Sequence, residues 1–284
     1  MRIGFLGPEG TFSHQALRGA QLLPDVEPVA VATIHATVLA VRDGDVDLAL
    51  VPIENALEGS VDVTLDTLAV ESETVTIIGE LVQPIRNCLI TAGPGELSAI
   101  TTVHSHPQPA GQCARFLRQE LGAARISPVS SSAEAVRAVA LAHDGAQAAL
   151  GNRLAAELYD AYILRADVDD EPDNMTRFVW LAASERAGTL RTLVERGATP
   201  KTSIVFWGGG DEAPGWLVGC LAELSNRDIS LTRIESRPRR VGLGHYMFFA
   251  DLHGSTEQPA LGGAIEGLRA RCQEVRVLGS YLAP

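Results

Sequence analysis

A hydroxyl and a guanidinium stand side by side at Thr176 and Arg177, within an Asn-Met-Thr-Arg-Phe run that leads into an apolar segment. A hydroxyl can donate a hydrogen bond to a departing oxygen, and a guanidinium matches the geometry of a carboxylate. This combination favours a site for a small anionic substrate. Arg177 could instead hold the chain through an internal carboxylate such as Asp173.

A second motif, Ile-Glu-Ser-Arg-Pro at residues 234–238, follows some fifty residues later. It lies in a short C-terminal module that could sense a metabolite. Together the two motifs indicate a regulated enzyme.

Other polar side chains follow apolar runs that read as strands. Thr11 and Ser13 lie in a Gly- and Pro-containing turn, where either can cap the next helix and free N–H groups favour a carboxylate or phosphate. Glu54 and Asn55 follow another run, at the edge where open α/β sheets bind ligands. Each pair is equally consistent with an ordinary turn and helix start.

Ser105, His106 and Gln112 repeat this arrangement after a third apolar run. His106 could donate a proton, but a single His beside Pro is more often a structural turn residue. No spacing typical of a metal site or of a phosphate-binding Gly-rich loop occurs. The sequence therefore favours chemistry without a cofactor and predicts no metal site.

Composition narrows the functional classes. The chain has 284 residues, 46% of them hydrophobic, and a formal net charge of −12. The acidic excess lies before residue 200, and such a surface repels nucleic acid and anionic membranes. No apolar run approaches a membrane span, the N-terminus does not resemble a signal peptide, and the four cysteines are widely spaced. We expect a cytoplasmic protein.

The order of elements predicts an α/β fold. From residue 2 to about 165, short Val- and Ile-rich runs alternate with Ala- and Leu-rich amphipathic stretches, such as a predicted helix at Ser13–Leu22, which indicates parallel strands. Residues 184–200 contain Gly and Pro and no clear strand, so they are the best linker candidate. The remainder reads as a βαββαβ unit of ferredoxin-like type.

Five motifs occur in the order found in prephenate dehydratases of phenylalanine biosynthesis, and the chain resembles that family over its whole length. The motifs are Gly7–Ser13, Pro52–Asn55, Ser105–Gln108 with Gln112-Cys113, Asn174–Phe178 and Glu235–Pro238.

The resemblance implies a two-lobed catalytic domain, similar to type II periplasmic binding proteins, at residues 1–183. Lobe one would comprise about 1–80 and 175–183, and lobe two about 85–172. A linker at 184–200 would then lead to an ACT regulatory domain at 201–284. Thr176 would lie by the hinge and face the cleft.

The resemblance also implies the reaction, which converts prephenate to phenylpyruvate, CO2 and water. Thr176 would act at the leaving hydroxyl, and Arg177 would pair with a substrate carboxylate. The remaining expected site residues orient or contact the substrate: Glu54, Asn55, Ser105 and Gln112 as catalytic residues, and Thr11, Ser13, Asn174 and Phe178 as substrate-binding residues, with Phe178 also expected in the core.

L-phenylalanine is the expected effector. Its site would comprise Gly215, Trp216 and Leu217 together with Glu235, Ser236, Arg237 and Pro238. Two positions depart from the family pattern, because Ala56 replaces a usual Ser and Trp216 replaces a usual Ala. The second departure places an indole where the effector is expected and favours a narrowed site.

A homodimer or homotetramer is expected, since an isolated βαββαβ sheet has exposed edges. Two other functions remain open from the sequence. One is arogenate dehydratase, whose substrate carries an amine in place of the keto group, and the other is a non-catalytic two-lobed amino-acid sensor.

Overall fold

A computed structural model describes residues 1–20, 25–194, 196–210 and 213–284. The strands are β1 (Arg2–Leu6), β2 (Glu27–Val31), β3 (Leu48–Asn55), β4 (Gly59–Ser60), β5 (Val75–Pro84), β6 (Cys88–Thr91), β7 (Thr102–Ser105), β8 (Arg125–Pro128), β9 (Gln147–Gly151), β10 (Tyr162–Arg165), β11 (Met175–Ala183), β12 (Thr199–Trp207), β13 (Leu231–Pro238), β14 (Tyr246–His253) and β15 (Glu274–Ala283). The helices are α1 (Phe12–Gly19), α2 (Ile34–Arg42), α3 (Asp62–Val70), α4 (Pro107–Gln112), α5 (Ala114–Glu120), α6 (Ser132–Ala142), α7 (Arg153–Leu158), α8 (Ala187–Val194), α9 (Trp216–Ser225) and α10 (Pro259–Arg269).

Lobe one is built on a sheet of order β2-β1-β3-β11-β5, with β4 paired to β3. Strand β1 runs parallel to β2 and β3, as the alternation of strands and helices predicts. Strand β11 runs antiparallel to both of its neighbours, because it returns to this sheet from the other lobe. The predicted parallel pairing is therefore seen for β1, β2 and β3, but within the same stretch of chain β6 pairs antiparallel with β9 and β10. The end of the predicted helix Ser13–Leu22 lies outside the described residues.

Lobe two has its own sheet, of order β10-β6-β9-β7-β8. The chain leaves lobe one at the end of β5 and returns at the start of β11, where the Ile85 N–H donates to the Asn174 carbonyl at 2.9 Å. The chain therefore passes from the first sheet to the second and back, as the predicted two-lobed organisation requires. Its similarity to type II periplasmic binding proteins stays a prediction.

The two lobes touch at Gly10. Its φ is +86°, and a Cβ at this position would lie 3.3 Å from the Cβ atoms of Ala133 and Ala155 in lobe two. A glycine therefore permits both the left-handed backbone and the close approach of the lobes.

The C-terminal part has the predicted βαββαβ order, and its sheet runs β13-β14-β12-β15. One face is covered by α9 and α10, through side chains such as Leu224 and Leu268. The other face packs on lobe one, where Phe249 and Leu278 share a core with Val51 and Ile77. A Cβ on Gly279 would lie 2.2 Å from the Ile77 carbonyl oxygen, so only a glycine allows β15 to cross β5 this closely.

The predicted linker is not an open connection. Within residues 184–200, helix α8 packs on the first sheet, and its Leu190 and Val194 join the core that contains Trp180. The Gly and Pro that suggested a linker flank or interrupt a short amphipathic helix. Of the helices described, none has the length and apolar character that crossing a membrane requires.

Candidate active site

A cleft of about 520 Å³ opens between the two lobes. Its walls combine hydroxyls, amides and apolar side chains from both lobes. The residues that line it are Leu6, Gly7, Thr11, Phe12, Ser13, Ala32, Ile34, Pro52, Asn55, Glu58, Gly59, Ser60, Val61, Ile85, His106, Gln108, Pro109, Gln112, Ser130, Ser131, Ser132, Thr176 and Phe178.

Two helix N-termini open on the cleft, one from each lobe. Thr11 caps α1, with its Oγ1 accepting from the His14 N–H at 3.2 Å, and Ser131 caps α6 by accepting from the Glu134 N–H at 3.4 Å. The residues at both caps line the cleft. The positive ends of two helix dipoles therefore face the same space, an arrangement that suits an anion.

Thr176 and Asn55 lie side by side on neighbouring strands, in register across β11 and β3. The Asn55 Oδ1 accepts from the backbone N–H groups of Leu57 and Glu58 at 3.0 and 3.1 Å. Because a backbone N–H can only donate, the other end of this amide must be its NH2 group. That NH2 group lies 3.0 Å from the Thr176 Oγ1, so Thr176 accepts from Asn55 and its own O–H remains to donate.

Asn174 and Ser105 lie behind the cleft wall and do not line it. The Asn174 side chain is fully buried, and its Oδ1 accepts from the Asn55 Nδ2 at 2.9 Å. Ser105 is also buried, and its Oγ donates to the His106 carbonyl at 2.8 Å. Both were expected to touch or orient the substrate. The structure gives them contacts to residues that line the cleft.

Arg177 and Glu54 do not face the cleft, contrary to the expectation for both. Successive side chains of a strand alternate between the two faces of the sheet. Since Thr176 and Asn55 point into the cleft, their neighbours Arg177 and Glu54 point to the opposite face, where they form a cross-strand pair. The Arg177 Nε donates to the Glu54 Oε2 at 2.9 Å.

Arg177 is instead an internal ion-pairing residue. Its side chain is 10% exposed, and its Nη1 and Nη2 donate to Glu80 at 3.0 Å and to Asp251 at 2.6 Å. Burial opposes the charged form, but the three carboxylates outweigh it and raise the pKa of Arg177. The alternative of an internal carboxylate partner was correct in kind, although Asp173 is not one of these three partners.

Gln112 reaches across the cleft from lobe two, and its Nε2 donates to the Glu58 Oε1 of lobe one at 3.1 Å. Sequence reasoning missed Glu58, although it follows closely after the Pro-Ile-Glu-Asn motif. His106 also lines the cleft, and its Nδ1 accepts from the Gln108 N–H at 3.3 Å. His106 is the N-cap residue of α4, so it has a structural role at the start of this helix as well as its place in the cleft.

The cleft is electrically unusual for an anion site. Among its lining residues in the described parts of the chain, no lysine or arginine occurs, and Glu58 is the one carboxylate. No group of three His, Cys, Asp or Glu side chains in those parts could hold a metal ion. An anion in this cleft would depend on neutral donors and helix N-termini. Ala56 is exposed and does not line the cleft.

A smaller cavity of about 240 Å³ lies on the helix side of the C-terminal sheet. Gly215, Trp216 and Leu217 line it together with Tyr246 and Phe248 of β14. The indole N–H of Trp216 donates to the Arg271 carbonyl at 3.0 Å, and its ring lies 6.0 Å from that of Phe248. Trp216 therefore forms a wall of this cavity.

The second motif does not line this cavity. Glu235 accepts a hydrogen bond from the Ser60 Oγ at 2.8 Å, and Arg237 pairs with Asp66 at 2.8 Å. Both partners belong to lobe one, so these side chains dock the C-terminal domain on the catalytic part. Ser236 and Pro238 are exposed, on the other face of β13. The expected grouping of all seven effector residues is not seen within this chain.

Comparison with known proteins agrees with this architecture. A prephenate dehydratase from Mycolicibacterium vanbaalenii is 40% identical over 300 residues, which cover 98% of this chain and 90% of the relative. A structure of prephenate dehydratase in complex with L-Phe from Arthrobacter aurescens superposes with a TM-score of 0.85 at 32% identity, covering 99% of this chain and 90% of the other. A structure of GqqA, described as a novel type of quorum quenching acylase, has a TM-score of 0.82 at 28% identity and covers 100% of this chain and 98% of its own.

The sequence model of the prephenate dehydratase family matches residues 3–186, which contain both lobes and the cleft between them. With this match and the 40% identity to a relative over nearly the full chain, the chain belongs to the prephenate dehydratase family.

Proposed function

We propose that this enzyme converts prephenate to phenylpyruvate in the cleft between its lobes, with the Thr176 hydroxyl donating to the departing ring hydroxyl. The observation that carries this assignment is the fixed orientation of Asn55. Because the Asn55 amide donates to the Thr176 Oγ1, the proton of Thr176 is available on the cleft side. Thr176 need not ionise to play this part.

The reaction consumes one proton and creates no new charge on the ring. The C–C bond to the ring carboxylate breaks and releases CO2, its electron pair completes the aromatic ring, and the ring hydroxyl leaves as water after it gains a proton. Aromatisation supplies the driving force. The protein mainly has to position the substrate and stabilise the departing oxygen.

A cleft without lysine or arginine suits this reaction. A cation beside the ring carboxylate would stabilise that group in the substrate but not in the transition state, where its charge is dispersing, and would therefore slow the reaction. The N-termini of α1 and α6 would hold the carboxylates through neutral N–H groups, and Gln112 and His106 would add donors from lobe two.

Arogenate differs from prephenate by an amine in place of a keto group. Parallel measurement of kcat/KM on both substrates decides between the two dehydratases. If neither is converted, the non-catalytic sensor replaces the enzyme, and an amide-cleavage assay on the same preparation tests the acylase activity described for GqqA.

The C-terminal βαββαβ domain is proposed to be an ACT domain that binds L-phenylalanine at the cavity beside Trp216. Support comes from the L-Phe complex of the Arthrobacter aurescens relative and from the apolar character of this cavity. Glu235, Ser236, Arg237 and Pro238 would contribute to that site only if a second subunit completes it. The enzyme is proposed to work in the cytoplasm.

The first prediction concerns assembly. Val218, Ile234 and Tyr246 are 70%, 41% and 43% exposed around the edge strand β13 and the cavity, and such apolar surface favours contact with a second subunit. We expect a dimer or tetramer by light scattering at micromolar concentration. A monomer both with and without L-phenylalanine would contradict this.

The second prediction concerns Trp216. Replacing it with Ala removes one wall of the cavity and should strengthen L-phenylalanine binding, if the indole narrows the site as we expect. Binding heat and dehydratase rate are titrated with L-phenylalanine for wild type and Trp216→Ala. Unchanged affinity would place Trp216 outside the effector site, and weaker affinity would mean that the indole packs on the effector.

The third prediction concerns Thr176. Thr176→Ala should lower kcat by more than about tenfold, or roughly 1.4 kcal/mol, and change KM little, because the hydroxyl acts when the ring oxygen leaves. Thr176→Ser keeps the hydroxyl and is the matched control, with kcat much closer to wild type. A smaller loss in Thr176→Ala would remove Thr176 from the mechanism.

The fourth prediction concerns Arg177. The expected pairing of Arg177 with a substrate carboxylate would make Arg177→Lys raise KM, but the buried position of Arg177 predicts a stability effect instead. A lysine has its donors on one nitrogen and cannot reach carboxylates on three strands as the guanidinium does, so we expect a loss of about 1–3 kcal/mol in the free energy of unfolding and little change in KM. Urea unfolding and kinetics measure these, with Arg227→Lys on the surface as control. Unchanged stability with a large rise in KM would restore the substrate-binding role.

A further inference from the structure

A cluster of charged side chains lies on the opposite face of the sheet from Thr176 and Asn55, where lobe one meets the C-terminal domain. We call it the interface cluster, and it consists of Glu54, Glu80 and Arg177 from lobe one and Lys201, Arg233 and Asp251 from the C-terminal domain. Arg177 is its centre, because this guanidinium contacts a carboxylate on β3, one on β5 and one on β14.

Asp251 is held from both of its oxygens. The Ser203 Oγ donates to Oδ1 at 2.6 Å, and the Arg177 Nη2 donates to Oδ2 at 2.6 Å. Burial alone would raise the pKa of Asp251, but the positive charges of Arg177 and Arg233 outweigh it and leave this pKa below its ordinary value. Asp251 is therefore ionised at neutral pH, and the contact with Arg177 is a charge-assisted hydrogen bond.

The cluster connects both functional regions through two strands. Strand β14 carries Asp251, and its Tyr246 and Phe248 line the C-terminal cavity. Strand β11 carries Arg177, and the preceding residue is Thr176. Thus one ion pair joins the strand that a ligand in the cavity would touch to the strand that holds the reacting hydroxyl.

A movement of β11 or β3 would displace the side chains that these strands supply to the cleft. Thr176 and Arg177 are consecutive, and they pair in register with Asn55 and Glu54. A shift of Arg177 is therefore passed to Thr176 through a single peptide unit, while Glu54 passes the same shift to Asn55. Displacement of a catalytic group by about 1 Å can cost on the order of a hundredfold in rate.

We propose that Arg177 and Asp251 are positioning residues, through which the C-terminal domain sets the Thr176 hydroxyl and the Asn55 amide for the reaction. The same ion pair carries the effect of a ligand bound at the C-terminal cavity to the cleft. This proposal rests on the proposed function and adds the physical route by which the two domains are coupled.

The test compares two carboxylates at the same domain interface. Asp251→Asn removes the charge that Arg177 contacts while it keeps the size of the side chain. Asp66→Asn makes the same chemical change at the pair with Arg237, which docks the domains through α3, and the ion pairs of Asp66 go to Arg237 and Arg240 of the C-terminal domain. Each full-length variant is measured for kcat and KM with prephenate, for the heat of L-phenylalanine binding, for the change in kcat at saturating L-phenylalanine, and for Tm.

We expect Asp251→Asn to lower kcat by roughly three- to thirtyfold, the range that coupling networks show, with KM within about twofold of wild type. L-phenylalanine should still bind to this variant but no longer change its kcat. Asp66→Asn should keep the kcat of wild type, even where its Tm falls. Ser203→Ala removes the hydrogen bond to one oxygen of Asp251 without a change of charge, so it should show a smaller effect of the same kind as Asp251→Asn. It replaces Asp251→Asn in the test if that variant does not fold.

The proposal is overturned if Asp251→Asn and Ser203→Ala match Asp66→Asn in kcat and wild type in their response to L-phenylalanine. It is also overturned if the loss of activity in both Asp251→Asn and Ser203→Ala follows only the loss of folded protein. Turnover of prephenate by the wild type distinguishes failure of this proposal from failure of the proposed function. If the wild type does not convert prephenate, the proposed function is refuted before any variant is compared. If the kcat of wild type does not change with L-phenylalanine, the kcat values of the variants test the positioning role of Arg177 and Asp251.

Discussion

The alternation of side chains along β11 governs how this molecule works. One face of the strand supplies Thr176 to the cleft, and the opposite face supplies Arg177 to the contact with the C-terminal domain. Because β11 lies between β3 and β5 in the sheet, each of these side chains also meets partners from a neighbouring strand. The proposed catalytic cleft and the contact with the C-terminal domain thus lie on opposite faces of one sheet.

The two faces of this sheet rely on different kinds of polar interaction. The interface cluster buries opposite charges against one another, so that each carboxylate offsets the desolvation of the guanidinium, and removal of Arg177 would take a cation from three carboxylates at once. Apart from Glu58 and His106, the polar groups that line the cleft are hydroxyls, amides and helix N-termini, which keep their hydrogen-bonding character over a wide pH range. A cleft lined without lysine or arginine is compatible with a substrate that must give up a carboxylate, whereas a cation paired with that carboxylate would slow its loss.

Local motifs allowed much of the site to be predicted. Thr11 caps α1 and Asn55 ends β3, and such positions meet at one edge of an α/β sheet. Gln112 ends α4 and Thr176 lies near the start of β11, and the structure brings all four side chains to the cleft. The role of Arg177 could not be predicted from the neighbouring sequence, because its partners Glu80 and Asp251 come from distant parts of the chain. The α8 helix was missed for a related reason, because its burial against Trp180, rather than its short sequence, stabilises it.

The shared position of Thr176 and Arg177 also limits how this enzyme could be recombined with others. A C-terminal domain taken from another protein would have to bring an acid in the place of Asp251, and a hydroxyl like that of Ser203 to orient it. Without that acid, a chimera would bury an arginine with incomplete compensation immediately beside its reacting hydroxyl. The two lobes and the C-terminal domain are therefore separate along the sequence, but one cannot be exchanged without a matching change in the other.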